Sequence, residues 1–257
     1  MTRAGVAFAA VAVAALAACG SSGSPAEDAL RDTAKNLGDI RSARLDLRMT
    51  AESAASEPVG FSLKGPFALP EKEGLPVADV EVTELRGKES VTSSFVSTGT
   101  EAYVVRNGKT TKLNASGVSV GGESGGLESL RIDGWLRDPE IEDGDGDTER
   151  ITAGLNVAAA FDDLGRLGER LGTSALAGLR PLDDAAKAQL EKSAKDSSIE
   201  VVTGKDDRLL RRLVLKVTLT AAGEVPEGLR SLVPVTLSLS MDLAEVNRPV
   251  RVEPPAT

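Results

Sequence analysis

Ser119 has the local sequence that surrounds a nucleophilic serine in many hydrolases. The stretch Gly117-Val118-Ser119-Val120-Gly121 matches the G-x-S-x-G pattern, in which a sharp turn exposes the serine hydroxyl. That hydroxyl needs a histidine as its base, and the 257-residue chain contains no histidine. A Ser-x-x-Lys arrangement is missing as well. We therefore interpret residues 117–126 as a loop rich in glycine and serine.

Gly108-Lys109-Thr110 ends like a phosphate-binding loop. Tyr103 stands five residues before Gly108, where that motif requires a glycine whose backbone can approach a phosphate. Asn107-Gly108 lies between two short β-type runs and is typical of a type I′ hairpin turn. The sequence therefore predicts a hairpin at this position and no nucleotide site.

Carboxylates alternate along the stretch from Asp143 to Asp147, as they do in calcium-binding loops. Thr148 occupies the place of the turn glycine, and Gly154 the place of the bidentate glutamate. These departures favour an acidic turn that leads into a strand at residues 150–156. A calcium site is the alternative that the sequence leaves open.

The composition excludes several classes of function. The absence of histidine and the single cysteine exclude a serine-histidine triad, a histidine-ligated metal and an internal disulfide. The 39 acidic residues exceed the 30 basic ones, giving a net charge of -9, and no basic cluster that would suit nucleic acid is present. We expect a protein without enzymatic activity that carries no cofactor or metal and binds no nucleic acid.

Cys19 follows a short leader that begins with Arg3 and continues as the apolar run Val6–Leu16. The run is too short to cross a bilayer as a helix and is typical of a secretion signal. Leu16-Ala17-Ala18-Cys19-Gly20 resembles the lipobox of bacterial lipoproteins. The resemblance implies cleavage before Cys19 and acylation of this residue with diacylglycerol and palmitate. Cys19 would then anchor the protein to the extracytoplasmic face of the cell membrane, and a general signal peptide is the alternative.

The leader sets the expected domain boundaries. Residues 1–18 form the signal peptide, residues 19–24 a lipidated flexible tether, and residues 25–257 a single domain. Ser24-Pro25-Ala26-Glu27 has the pattern of a capping box, which predicts that a helix begins directly after the tether.

Most of the domain shows an alternation of apolar and polar residues with a period of two. This period predicts one-sided strands, and their succession predicts an antiparallel sheet with one solvated face. Helical spacing predicts two helices, at Val157–Leu171 and at Asp183–Lys195, the second with i,i+4 ion pairs from Asp183 to Lys187 and from Glu191 to Lys195. The clearest alternations lie at residues 45–49, 59–63, 80–82, 209–220 and 235–243.

The layout of lipobox, tether, helix and one-sided strands resembles the LppX/LprAFG lipoproteins, whose fold is similar to that of LolA. Short phrases add to the likeness: Trp135, Gly154-Leu155-Asn156-Val157 and Asn247-Arg248-Pro249. The resemblance implies an α+β fold in which a strongly curved antiparallel sheet, a half-open barrel, wraps around helices and an apolar cavity for acyl chains.

The sequence also gives a physical reason to expect a cavity. A strand of residues 209–220 is about 40 Å long, so its sheet should curl, and few aromatic side chains are available to fill the space. We expect a carrier of lipid or lipoglycan. A ligand-free scaffold or sensor with a solid core is the alternative, and the sequence identifies no protein partner. The expected cavity residues are Leu213, Leu215, Val217, Leu219, Val235, Leu237, Leu239, Met241, Phe161 and Leu164.

Overall fold

The computed structural model describes residues 23–54, 56–72, 74–114, 130–171, 183–220 and 234–255. These residues form three α-helices and one antiparallel sheet of 11 strands that does not close. The α+β class and the half-open barrel expected from the sequence are confirmed. Cys19 and the loop with Ser119 lie outside the described residues. None of the described helices is long and apolar enough to cross a membrane.

The strands are β1 Ser42–Ser53, β2 Ser56–Ala68, β3 Val77–Arg86, β4 Glu89–Thr98, β5 Ala102–Arg106, β6 Lys109–Lys112, β7 Leu136–Asp143, β8 Thr148–Leu155, β9 Ala194–Gly204, β10 Leu210–Leu219 and β11 Val235–Ala244. The helices are α1 Pro25–Lys35, α2 Val157–Leu171 and α3 Asp184–Ser193. Short turns connect the strands within β1–β2, β3–β6, β7–β8 and β9–β10, and α2 and α3 lie between β8 and β9.

Each strand pairs with the next strand along the chain, except that β6 and β7 do not pair with each other, and β1 pairs with β11. The sheet therefore has two halves that meet at this pair. One half runs from β1 out to the edge strand β6, and the other runs from β11 out to the edge strand β7.

One face of the sheet carries a continuous apolar row, because residues paired across antiparallel strands point to the same side. The row crosses eight strands in the order β7, β8, β9, β10, β11, β1, β2 and β3. We call this side the inner face. Its members are Ile141, Ile151, Val201, Leu213, Met241, Leu47, Leu63 and Val82.

Helix α1 begins where the capping box predicts. The Ser24 side chain accepts a hydrogen bond from the amide of Glu27 at 3.3 Å, and the Glu27 carboxylate accepts one from the Ser24 amide at 2.7 Å. Leu30 from α1, Phe161 from α2 and Leu190 from α3 belong to the same buried cluster as the inner-face residues of β8–β11.

The two ion pairs expected within α3 are wrong, because their residues are used by other elements. Lys187 lies 3.3 Å from Asp162 of α2, and Glu191 binds Arg137 of β7 at 2.6 Å. Glu191 also accepts a hydrogen bond at 2.8 Å from the amide of Ala158, in the first turn of α2. These contacts hold α3 against α2 and β7, while Lys195 already belongs to β9.

Two predicted turns have the expected form. Asn107 and Gly108 have φ angles of 51° and 72°, as the central residues of a type I′ turn require. The acidic stretch Asp143–Asp147 connects β7 and β8, and Lys205 binds Asp143 at 2.7 Å. Among the described residues, no group of three or more His, Cys, Asp and Glu side chains is placed to hold a metal. The acidic-turn interpretation accounts for this stretch.

Two glycines of β2 allow close approach of the neighbouring strands. A Cβ atom on Gly60 would lie 2.3 Å from the carbonyl oxygen of Met49 in β1. A Cβ atom on Gly65, whose φ is 149°, would lie 1.9 Å from the carbonyl oxygen of Asp79 in β3. Glycine inside a strand commonly marks a bend, and these positions suit a sheet that curls.

Candidate functional site

The expected cavity residues come together in the half of the sheet formed by β7–β11. The eight that lie on β10 and β11 form four cross-strand pairs. Phe161 and Leu164 of α2 pack in the same cluster. None of the ten is more than 9% exposed. The pairs are Leu213 with Met241, Leu215 with Leu239, Val217 with Leu237, and Leu219 with Val235.

These ten side chains are therefore covered by protein atoms in the absence of any ligand. Val217 and Leu219 are 0% exposed, and Phe161 is 3% exposed. This packing is what a closed hydrophobic core requires. A role of the ten residues in contacting lipid stays a prediction.

The same inner face is open on β2–β5. Six of its apolar side chains are only half-buried, and within the described part of the chain they lie outside the core cluster. The register places Leu63 beside Val82, and Val80 beside Phe95, which in turn pairs with Val104. We call this surface the apolar trough, and it consists of Phe61, Leu63, Val80, Val82, Phe95 and Val104.

The exposure of side chains along the apolar row increases between β11 and β1. We call β7–β11, where the inner face is covered, the closed half of the sheet. Leu213 on β10 is 2% exposed and Met241 on β11 is 4% exposed. Leu47 on β1 and Leu63 on β2 continue the row and are both half-buried. The buried helical residues pack on the β7–β11 half, so β1 marks the boundary of the core.

The trough has the length of an acyl chain when it is measured across the strands. Its six side chains lie on four neighbouring strands, β2 to β5, which corresponds to about 14 Å at about 4.8 Å per strand. The hydrocarbon core of a bilayer is about 30 Å thick for two leaflets, so one acyl layer is about 15 Å. The trough therefore offers enough apolar length for the chain of a membrane lipid.

Among solved structures, LprF from Mycobacterium bovis resembles this chain over nearly its whole length. The two share 14% sequence identity, the match covers 92% of this chain and 100% of LprF, and the TM-score is 0.50. The chain has the LprF fold. A LolA superfamily protein from Nitrosomonas europaea also matches, with 8% identity, 89% and 96% coverage and a TM-score of 0.24. No protein-family model and no curated protein matches the sequence.

The LprF fold confirms the architecture that the sequence resemblance implied. The trough, however, was not among the expected site residues. The alternation at residues 59–63 and 80–82 was visible, but nothing in the sequence shows that the helices pack on the other half of the sheet. A useful signal lies in the chain order: α2 and α3 follow β8, so they are connected to the β7–β11 half.

A second, polar cleft of about 440 Å³ lies beside the first turn of α2. The Asp163 carboxylate forms part of its lining and accepts hydrogen bonds from the indole nitrogen of Trp135 at 2.9 Å and from the amide of Arg131 at 3.2 Å. The neighbouring Asp162 binds Arg166 at 2.8 Å and Lys187 at 3.3 Å. Because both carboxylates already have protein partners, these groups act within the LprF fold as links between α2, α3 and the 3-10 turn Ile132–Trp135.

Proposed function

We propose that this protein is an envelope lipoprotein that holds the acyl chains of a lipid or lipoglycan in the apolar trough. The observation that carries the proposal is the open inner face of β2–β5, where six apolar side chains of one surface are left half-exposed. The fold that the chain shares with LprF agrees with the lipoprotein family that the sequence resembles, and this agreement supports the proposal.

The energetics favour an apolar occupant. Burial of each methylene group contributes about 0.8 kcal/mol, so a chain of even ten carbons gains several kcal/mol on leaving water. The six trough side chains are aliphatic or aromatic, and polar residues of the same face, Glu84, Ser93 and Arg106, lie on the side of the trough nearest the β3–β4 turn. Specificity for chain length and branching would then depend on shape rather than on hydrogen bonds.

The proposed location follows from Cys19. Acylation at this residue attaches the protein to the extracytoplasmic face of the cell membrane, and two or more acyl chains are enough for lasting attachment. A carrier of this type binds and releases its ligand without changing any covalent bond. The proposal therefore assigns no catalytic residue and no cofactor.

The test is mass spectrometry of lipids bound to the full chain after purification from bacterial membranes. We expect stoichiometric acyl species in the wild type beyond those attached to Cys19. Val82→Trp fills the trough and should lower this occupancy at least threefold. Thr83→Trp adds the same ring to the next residue of β3, which points to the outer face, and should leave the occupancy unchanged.

Two results would overturn the proposal. One is a wild-type protein that carries no acyl species other than its anchor. The other is equal occupancy in Val82→Trp and in Thr83→Trp, with both variants folded. Either result would support the alternative of a ligand-free scaffold or sensor, for which the half-exposed trough would be a contact surface for another protein.

A further inference from the structure

One end of the sheet, which we call the lower end, brings together the start of α1 and the tips of the β1–β2 and β3–β4 hairpins. The start of α1 and the start of β7 line a common cleft of about 290 Å³, with Gly23 and Leu136 on its two sides. The register connects this edge with the hairpins across the sheet. The pairs that trace the lower end are Leu136–Leu155, Gly154–Ser198, Ala194–Leu219, Leu219–Val235, Val235–Ser53 and Ser53–Ser56.

Val59 and Val91 lie at this lower end, and both point to the inner face. Val59 is 37% exposed and Val91 is 38% exposed, which makes them the most exposed large hydrophobic side chains among the described residues. Val59 lies near the start of β2 and pairs with Arg86 of β3, and Val91 of β4 pairs with Glu84 of β3. The two valines therefore form the apolar sides of the lower mouth of the trough, and the ion pair of Arg86 with Glu84 lies between them.

The position of the start of α1 also limits the distance between the lower end of the sheet and a lipid anchor at Cys19. Four residues lie between Cys19 and Ser24, the N-cap of α1, so five residue steps connect the two. At about 3.3 to 3.6 Å per residue, this segment spans at most about 18 Å. An anchor at Cys19 thus keeps the start of α1, and with it the lower end of the sheet beside Leu136, close to the bilayer.

We infer that the lower mouth, Val59 and Val91, docks on the membrane surface and that acyl chains pass through it between the bilayer and the trough. This inference rests on the proposed function and adds the orientation of the protein and the route of its ligand. The partner is the acyl and glycerol region of a lipid surface, because exposed valines gain free energy only by leaving water.

The charges of the hairpin tips indicate that docking does not depend on anionic lipids. Arg86 and Lys88 at the β3–β4 tip are balanced by Glu84, Glu89 and Glu57, whose carboxylate lies against Gly87, and Arg86 binds Glu84 at 3.1 Å. With little net charge, the tip should bind phosphatidylcholine as well as anionic lipid, and added salt should change the binding little.

The orientation is tested with the acylated full chain in phosphatidylcholine vesicles. Cys19, the only natural cysteine, is blocked by its lipid, so Val59→Cys can be labelled alone with a polarity-sensitive fluorophore. We expect a blue-shifted emission that spin-labelled lipids quench at least twofold. Thr100→Cys, at the opposite end of the same half of the sheet, serves as the control and should show little quenching. Equal quenching at the two positions, or none at Val59→Cys, overturns the inference.

The route is tested by the rate at which the anchored protein takes up a fluorescent phospholipid from the vesicle. Val59→Asp combined with Val91→Asp should slow uptake at least fivefold and leave the final occupancy within twofold of the wild type. Ser90→Asp, one residue from Val91 and on the outer face, should take up lipid at the wild-type rate. Equal rates in the two variants overturn the route. A wild type that never takes up lipid contradicts the proposed function instead, and the quenching experiment remains decisive for the orientation.

Discussion

The indole nitrogen of Trp135 donates a hydrogen bond of 2.9 Å to the carboxylate of Asp163. Trp135 is 1% exposed and Asp163 is 8% exposed, so this bond joins the 3-10 turn before β7 to the middle of α2 inside the protein. The same carboxylate oxygen accepts the amide of Arg131 at 3.2 Å. Asp163 therefore links α2 to the turn that leads into β7, on the closed half of the sheet.

Replacing Asp163 by alanine should destabilise the closed half. The change leaves the Trp135 indole and the Arg131 amide without an acceptor, and each unsatisfied buried donor costs about 1 to 3 kcal/mol. We expect a loss of roughly 2 to 4 kcal/mol in the free energy of unfolding. Trp135 is the only tryptophan, so its fluorescence during urea unfolding reports this loss directly.

Asp163→Asn is the matched control, because its amide oxygen can replace the one carboxylate oxygen that accepts both hydrogen bonds. It should be less destabilising than Asp163→Ala by at least about 1 kcal/mol. Equal stability of the alanine variant and the wild type would show that Asp163 does not hold α2.

Gly65→Ala should destabilise the sheet at the bend of β2. The added Cβ would lie 1.9 Å from the carbonyl oxygen of Asp79, and a φ of 149° is strained for any residue with a side chain. We expect a loss of at least about 2 kcal/mol, measured by thermal unfolding. Gly134→Ala is a fair comparison, since a Cβ there meets nothing within 4 Å, and it should change the melting temperature little.

Local patterns were enough to predict many elements of this fold, whereas β4, β7 and β9 were not predicted. Helical spacing gave the bounds of α2 as observed, Val157–Leu171, and the period of two placed the start of β11 at Val235. The Asn107-Gly108 turn formed as predicted because its geometry depends on two adjacent residues only. Signals of this kind are contained in short stretches of chain and do not depend on the tertiary arrangement.

The distribution of the helices over the sheet could not be predicted in this way. Lys187 and Glu191 have the spacing of surface ion pairs within a helix, yet they bind Asp162 and Arg137 on other elements. Leu63 and Leu213 look alike in their strands, and only the packing of α2 and α3 makes one half-buried and the other 2% exposed. Alternation shows which face is apolar, whereas coverage depends on contacts between distant segments.

The pKa of Asp143 provides a test of the contact between the β7–β8 and β9–β10 turns. The hydrogen bond from Lys205 and the positive charge of this lysine both lower the pKa of Asp143. The same hydrogen bond raises the pKa of Lys205. A carboxylate whose pKa is lowered by folding stabilises the protein above its unfolded-state pKa, and this contribution is lost as the pH falls through the lowered value.

We expect NMR titration to place the pKa of Asp143 below the ordinary value of 3.8. Lys205→Met should return it to the ordinary range, and Lys205→Arg should keep it low because the positive charge remains. An Asp143 pKa that does not respond to Lys205→Met would contradict the observed ion pair.

Cys19→Ser should abolish acylation of the protein. The thiol sulfur is the only atom in the chain that the lipobox chemistry can modify, because the chain has one cysteine. In cells fed an alkyne fatty acid, the wild type should become labelled and the variant should not. Ser22→Ala, a change in the tether that keeps Cys19, is the control and should be labelled fully. Labelling of Cys19→Ser at the wild-type level would exclude Cys19 as the anchor.

Replacing a valine by phenylalanine should have different effects in the closed half of the sheet and in the trough. Val217 in the closed half is 0% exposed, whereas Val80 in the trough is half-buried on the same face. Val217→Phe overpacks a filled core and should cost about 1 to 3 kcal/mol in the free energy of unfolding. Val80→Phe extends into open space, so it should leave the stability within about 0.5 kcal/mol and lower the amount of bound lipid. Urea unfolding and mass spectrometry of bound lipid measure the two effects. If Val217→Phe were tolerated and displaced lipid, the ligand would lie among the residues of β10 and β11 and the trough would not be its site.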